Sequence, residues 1–251
     1  MADVHRGQTT QNATIQKVKV KLPIRLVIYG GARSLGDNGA FMNASKNVIS
    51  DYKNDLPVKS FFLSQGMKQL VKIVNEQESN SIQSLDIFCH GSDVALYAVM
   101  GVSLKKSMTY EYAQKNNLVS CLYINKARRF KEYSLMGGEN WSNAFVIPDL
   151  KFSNFTNESK IEIHGCNTAF DGDSDTFSSV LSEALYQAGK KKSIVIGHTD
   201  FASPNRGGTK DIAKQDYRHG ERAIFNNGRL LQKTRKEGRI SATYIKQLLG
   251  G

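Results

Sequence analysis

Cysteine is scarce in this chain of 251 residues, which carries only Cys89, Cys121 and Cys166. A small, odd number does not build a disulfide framework, so free thiols are expected. Free thiols fit a cytoplasmic protein, and equally one exported without a secretory signal peptide. Long apolar runs are missing as well. No stretch approaches the ~20 residues that cross a bilayer, so no membrane span is expected. The opening "MADVHRGQTTQNATIQKVKVK" lacks the apolar core of a signal peptide. No Cys-x-x-Cys or His-x-x-x-His pair is present, so zinc finds no ready ligand set and no metal is expected. Helix-turn-helix, zinc-finger and RNA-binding aromatic signatures are absent too, which argues against nucleic acid as a partner.

What is present is ordinary globular material, since 40% hydrophobic residues suffice to fill a core. The net charge of +11 is spread over "KVKVKLP", "KARRFK", "AGKKKS" and "LLQKTRKEGR". A solvated basic surface accounts for it, as would a polyanionic ligand or an acidic partner.

Residues 1–17, rich in Gln, Thr and Asn, read as a flexible lead-in to a single domain over 18–251. Strand and helix patterns then alternate. "IRLVIYGG" (Ile24 to Gly31) is a buried strand, and "FMNASKNVISDY" a helix with Phe41, Ala44, Val48 and Tyr52 on one face. "VKSFFLS" and "MKQLVKIVNEQ" repeat the pair, and "SLDIFCHGS" (Ser84 to Ser92) is the third strand. Residues from about 103 to 143 break the rhythm and read as an inserted, partly exposed excursion. "KIEIHGCNTA" is the fourth strand, followed by a helix that buries Phe177, Val180, Leu181, Ala184, Leu185 and Ala188. Ser174 or Asp175 is its expected cap, and Gly189 its stop. "KSIVIGHTDF" is a fifth strand, and the Asn-Gly of "RAIFNNGRLLQKT" marks a hairpin. The expected fold is therefore α/β, with a mainly parallel sheet, helices on both faces and a C-terminal β-hairpin.

In such sheets the ligand site lies beyond the carboxyl ends of the strands. Those ends are Gly30-Gly31, His90-Gly91, Gly165-Cys166 and Gly197-His198. If the third and fourth strands are neighbours, His90 and Cys166 emerge on one edge. An imidazole beside a thiol favours thiolate, and it can also protonate a leaving amine. Gly91 and Gly165 let a substrate approach, and amides near Gly91 and Cys166 can form an oxyanion hole. His164 is the local rival. It lies on the same side of the strand as Cys166 and competes as base or shared metal ligand. Its place before the glycine holds it in the sheet edge, where it is expected to line the site. His198 and Asp200, at the next strand end, are candidate pocket residues, whereas Cys89 points into the core.

"SLDIFCHG" followed downstream by "KIEIHGC" resembles the clan of caspase-like cysteine peptidases. That clan includes caspases, gingipains, clostripain, separase and the autoprocessing domains of large bacterial toxins. Its shared signature is an apolar strand ending in His-Gly, then one ending in a small residue and Cys. The tail "GCNTAF" looks most like the toxin domains, and the resemblance spans roughly residues 20–200. It implies a thiol protease of caspase-like fold that cleaves a protein or peptide substrate, with His90 as acid/base and Cys166 as nucleophile. It also implies autoprocessing or a bacterial effector, with no required cofactor but an inositol phosphate as polyanionic activator. The Gln-Ala-Cys of true caspases is absent, so aspartate specificity does not transfer. A catalytically silent caspase-like binding module is the alternative.

Two further motifs compete. Asp171, Asp173 and Asp175 in "FDGDSDTF" have the D-x-D-x-D spacing of a calcium loop. An EF-hand then needs Gly and Glu where Thr176 and Ser182 stand. An acidic helix start accounts for the run, and Asp173 and Asp175 remain candidates for a pocket that takes a basic side chain. "IYGGARSLGDNG" resembles the glycine-rich turn of short-chain dehydrogenases, but without G-x-G-x-x-G spacing or a Tyr-x-x-x-Lys pair. A nucleotide-binding oxidoreductase is the weaker reading.

Overall fold

A computed structural model describes residues 22–125, 141–172 and 175–250. The lead-in over 1–17 lies outside the described residues. The chain begins with β1 (Ile24–Gly30), whose Leu26 and Ile28 face one side while Val27 and Tyr29 face the other. Next comes α1 (Leu35–Asp51), capped by Ser34, whose hydroxyl accepts from the Gly36 and Asp37 amides. Phe41, Ala44 and Val48 of α1 pack on Val27, as their helical spacing requires. β2 (Val58–Leu63), α2 (Gly66–Asn75) and β3 (Ile82–Phe88) follow.

After β3 the chain leaves the main sheet to form β4 (His90–Gly91), β5 (Ala95–Val99), α3 (Tyr110–Lys115), β6 (Val119–Tyr123) and β7 (Ala144–Val146). These four strands make a second sheet in the order β4-β5-β6-β7. The chain returns through β8 (Phe155–Ile163), α4 (Phe177–Gln187) and β9 (Ile194–His198). It closes with β10 (Arg222–Asn226), β11 (Arg229–Thr234) and α5 (Ala242–Leu248).

The main sheet has seven strands in the order β11-β10-β9-β8-β3-β1-β2. From β2 to β9 every pairing is parallel, and β10 and β11 add an antiparallel edge. The fold is thus the α/β arrangement expected from the sequence. The hairpin turns at Asn227 and Gly228, whose φ angles of 51° and 71° are the positive values its type requires.

The largest core lies on one face of the sheet, where Leu26, Ile28, Ile161 and Ile163 meet α2, α4 and the second sheet. α1 covers the other face at β1, and α5 covers it at β9 and β10. Between those two helices that face turns polar. Lys160 and Glu162 of β8, Asp86 of β3 and Arg222 of β10 are all buried there.

One expectation gains detail and one needs correction. The excursion over 103–143 contains regular structure, because β6 within it is a strand buried at every residue. Its run "NLVSCLYI" is a core strand whose charged neighbours mask the pattern; residues 126–140 lie outside the described residues. The cap of α4 is Thr176, which accepts from the Ser179 amide, rather than Ser174 or Asp175. Asp175 stands in a left-handed turn at φ 64°, and Ser174 lies outside the described residues. Among the described residues no helix is long and apolar enough to cross a membrane.

Candidate active site

β3 and β8 are adjacent and parallel, with Ile87 opposite Ile163, so His90-Gly91 and Gly165-Cys166 leave the sheet side by side. Their backbones touch. A Cβ on Gly91 would lie 3.2 Å from the Cys166 carbonyl oxygen and 2.7 Å from the Thr168 methyl. A Cβ on Gly165 would lie 3.0 Å from the Cys89 carbonyl and 3.2 Å from the Gly91 nitrogen. Glycine is therefore what lets the two loops meet.

The His90 side chain is half exposed, and its Nε2 lies 3.4 Å from Asp37 Oδ2. Phe41 packs against the imidazole in an edge arrangement, with centroids 5.5 Å apart. The hydrogen bond from His90 is the largest influence holding the Asp37 carboxyl below its usual range, although burial opposes it. The charges of His90 and Arg33 add to that lowering. Asp37 is invisible to motif reading because it comes from the first turn of α1, far from either motif. Its only local signal is an acidic residue placed favourably at a helix start.

Cys166 is partly exposed, and its thiol donates to the Ala202 carbonyl at 3.8 Å. The loop that carries it is tightly tied. Asn167 adopts φ 57°, and its amide donates to the Asp200 carbonyl. The Thr168 hydroxyl donates to the Gly165 carbonyl, and the Ala169 amide to the His198 carbonyl. The Ser178 amide of α4 donates back to Thr168. No hydrogen bond joins His90 to Cys166 among the described residues. Both nevertheless border one aromatic cluster, His90 through Phe41 and Cys166 through Ala202, on the α1 side of the sheet. Nucleophile and base are often loosely set before substrate arrives.

The other histidines sit elsewhere. His164, expected to line the site, is instead 1% exposed. Its ring stacks on Phe88 at 4.0 Å and its Nε2 lies 3.3 Å from Asp86. Period-two alternation drives it into the buried polar face together with Lys160 and Glu162. His198, expected in the substrate pocket, is likewise buried, and its Nε2 has no hydrogen-bond partner. Burial, then the charges of His164 and Arg222, push its imidazole down to about 3. Asp200 is exposed beside the Cys166 loop, where its carboxylate accepts from the Phe201 amide. Asp175 is exposed as well, and Asp173 lies outside the described residues. Cys89 is in the main core, where burial pushes its thiol up to about 12.

Asp86, Glu162 and His164 present ligand atoms within 4.8 Å of one another, the makeup of a metal site. The protein already supplies the positive charge there. Lys160 Nζ lies 2.6 Å from Glu162 and 3.9 Å from Asp86, and Arg222 bonds the second Glu162 oxygen. Burial would raise the Glu162 carboxyl, but Lys160 and Arg222 hold it well below its usual range. The same balance lowers Asp86, where burial is opposed by Lys160 first and then His164. In the calcium-like run, Asp171 pairs with Lys233 at 2.9 Å.

A cavity of about 290 Å3 opens beside His90, lined by Gly31, Arg33, Tyr97, Val99, Tyr110 and Val119 among others. Arg33 lies over the Tyr110 ring at 5.2 Å. A larger cavity of about 540 Å3 lies away from both motifs, between the end of α1 and residues 206–218. Its charges are spent on one another, as Arg206 pairs with Glu237 and Arg218 with Asp216 and Asp51. The described basic runs are similarly engaged. Lys192 pairs with Glu158, Lys190 bonds Asn80, and Arg235 pairs with Glu221. The glycine-rich turn after β1 rims the cavity, and β2 is followed by Ser64 and Gln65, without the acidic residue a ribose requires. Neither family models nor curated proteins nor solved structures match this chain.

Proposed function

We propose that the chain is a cysteine endopeptidase of caspase-like type, with Cys166 as nucleophile, His90 as general acid and base, and Asp37 orienting His90. The observation that carries this reading is the contact of two glycine-flanked strand ends, one bearing a histidine and the other a partly exposed cysteine. The Cys166 amide engages no other described group, which suits it to an oxyanion hole with the Gly91 region.

In the reaction, His90 takes the thiol proton and the sulfur attacks the scissile carbonyl. The C–S bond forms as the carbonyl π pair moves onto oxygen. The oxyanion then collapses, the C–N bond breaks, and His90 gives its proton to the leaving amine. Water, deprotonated by His90, hydrolyses the thioester and restores the thiol. Asp37, at 3.4 Å, holds the imidazole in place at the cleft. The cavity beside His90 receives a substrate side chain, with apolar walls from Val99 and Val119 and a cation at Arg33.

A thiol-directed peptidyl electrophile tests the reading. Wild type should be labelled at one site, and Cys166→Ala should not be labelled at all. A folded wild type that resists labelling, with Cys166 still reactive to iodoacetamide, would favour the silent binding module. The thiol bonded to the Ala202 carbonyl rather than to the imidazole is the feature such a module would keep.

A further inference from the structure

Tyr217 belongs to no motif, yet the fold brings it to the cleft and fixes it there. Its ring packs on Phe41 at 5.6 Å and edge-on to Phe88 at 6.1 Å, in the cluster that also holds Ala202. Phe41 contacts His90, and the Ala202 carbonyl accepts from the Cys166 thiol. Tyr217 therefore stands where the surroundings of imidazole and sulfur overlap.

The residues on either side clamp it. Arg218 bonds Asp216 through Nε at 3.0 Å and Nη2 at 2.7 Å, and its own amide donates to the same carboxylate. Arg218 also reaches Asp51 at the end of α1. The Asp216 amide donates to the Pro204 carbonyl, and the His219 ring bonds the Ser203 carbonyl. Segment 216–219 is thereby zipped to 203–204, next to the carbonyl that holds the thiol. Asp216 and Arg218 are almost fully buried, so the pair gives a rigid mount rather than a surface contact.

The ring is 6% exposed, but its hydroxyl bonds no described group and is not sealed in the interior. Buried phenols usually find a partner, so an open, unpaired hydroxyl on a clamped ring calls for one. Burial, followed by the charges of Asp37 and Cys166, raises its phenol above the ordinary range. The group thus stays protonated and keeps an O–H to donate. Neither Asp37 nor Cys166 bonds it at rest, so the O–H is uncommitted among the described residues.

We propose that Tyr217 is a catalytic residue whose phenol O–H donates to the substrate carbonyl oxygen as negative charge develops on it. The inference rests on the peptidase reading and adds a side-chain donor to the amides of the oxyanion hole. The phenol keeps its proton throughout, and no bond to it forms or breaks.

The test compares wild type with Tyr217→Phe on a peptide library that varies the residue before the scissile bond. The variant keeps the ring and its packing. Losing one oxyanion donor should lower kcat by ~10²-fold, with KM unchanged. Alkylation of Cys166 by iodoacetamide develops no oxyanion, so its rate should stay at the wild-type value. Equal turnover in both proteins would overturn the assignment, leaving the peptidase reading intact. So would a matching fall in alkylation rate, which would show the phenol acting on the thiol. A wild type that cleaves nothing and takes no peptidyl label would remove the peptidase reading, and this inference with it.

Discussion

Replacing His198 with asparagine should flatten the dependence of stability on pH. In the folded chain this imidazole is 3% exposed, its Nε2 lacks a partner, and its pKa lies at about 3. Unfolded, it returns to about 6.5. Between those values the unfolded chain binds one more proton than the folded one. Stability therefore falls as pH drops, by about 1.4 kcal/mol per unit for this group. From pH 6.5 to pH 5 the loss is about 2 kcal/mol, and any folded value below about 4 gives the same figure. Urea unfolding at pH 7.5 and pH 5 reads it directly. The asparagine side chain does not titrate, and its loss of packing is the same at both pH values, so subtraction isolates the histidine. The wild-type protein should lose about 2 kcal/mol more than His198→Asn on acidification. Parallel profiles would refute the placement of a neutral, unpartnered histidine in this sheet.

Other perturbations separate the site from its support. His90→Ala should lower peptide turnover by ~10²–10⁴-fold while leaving the melting temperature in place, because the side chain is half exposed. His164→Asn should do the reverse in kind, costing about 1–3 kcal/mol in urea unfolding through the lost Asp86 partner. Lys160→Met removes the cation shared by two buried carboxylates, leaving Glu162 to Arg222 and Asp86 to His164, and should cost about 3–5 kcal/mol by the same assay. Gly165→Ala would push a methyl against the Cys89 carbonyl and the Gly91 amide, moving the two loops apart. Peptidyl labelling of Cys166 should slow sharply in that variant, even where the protein stays folded.

Much of the frame is legible in one dimension because it rests on local chemistry. The apolar run "IRLVIYGG" makes a strand covered on both faces, the alternation of "KIEIHGC" one with a single apolar face, and the spacing from Phe177 to Leu185 a helix with one buried side. Asn227-Gly228 sets a hairpin by the backbone angles those two residues tolerate. The ends at His90 and Cys166 then follow from the rule that parallel sheets present their sites at carboxyl edges. The core strand "VSCLY" escapes such reading because a continuous apolar run has no period, and charged segments flank it.

Local pattern thus suffices for the strands, the helices, the hairpin and the two strand ends that emerge side by side from β3 and β8. What surrounds those residues comes from packing between distant segments. Asp37 reaches His90 only because α1 starts beside the end of β1, and Tyr217 reaches the cleft only because Arg218 ties its loop to α1. The same holds for His164 and His198, which look like site residues in one dimension. In the sheet they enter a buried ionic layer, whose Arg222 comes from an antiparallel strand added at the far side. Alternation along a strand specifies which face a residue takes; the order and register of distant strands specify its neighbours, and those neighbours decide whether it reacts or supports.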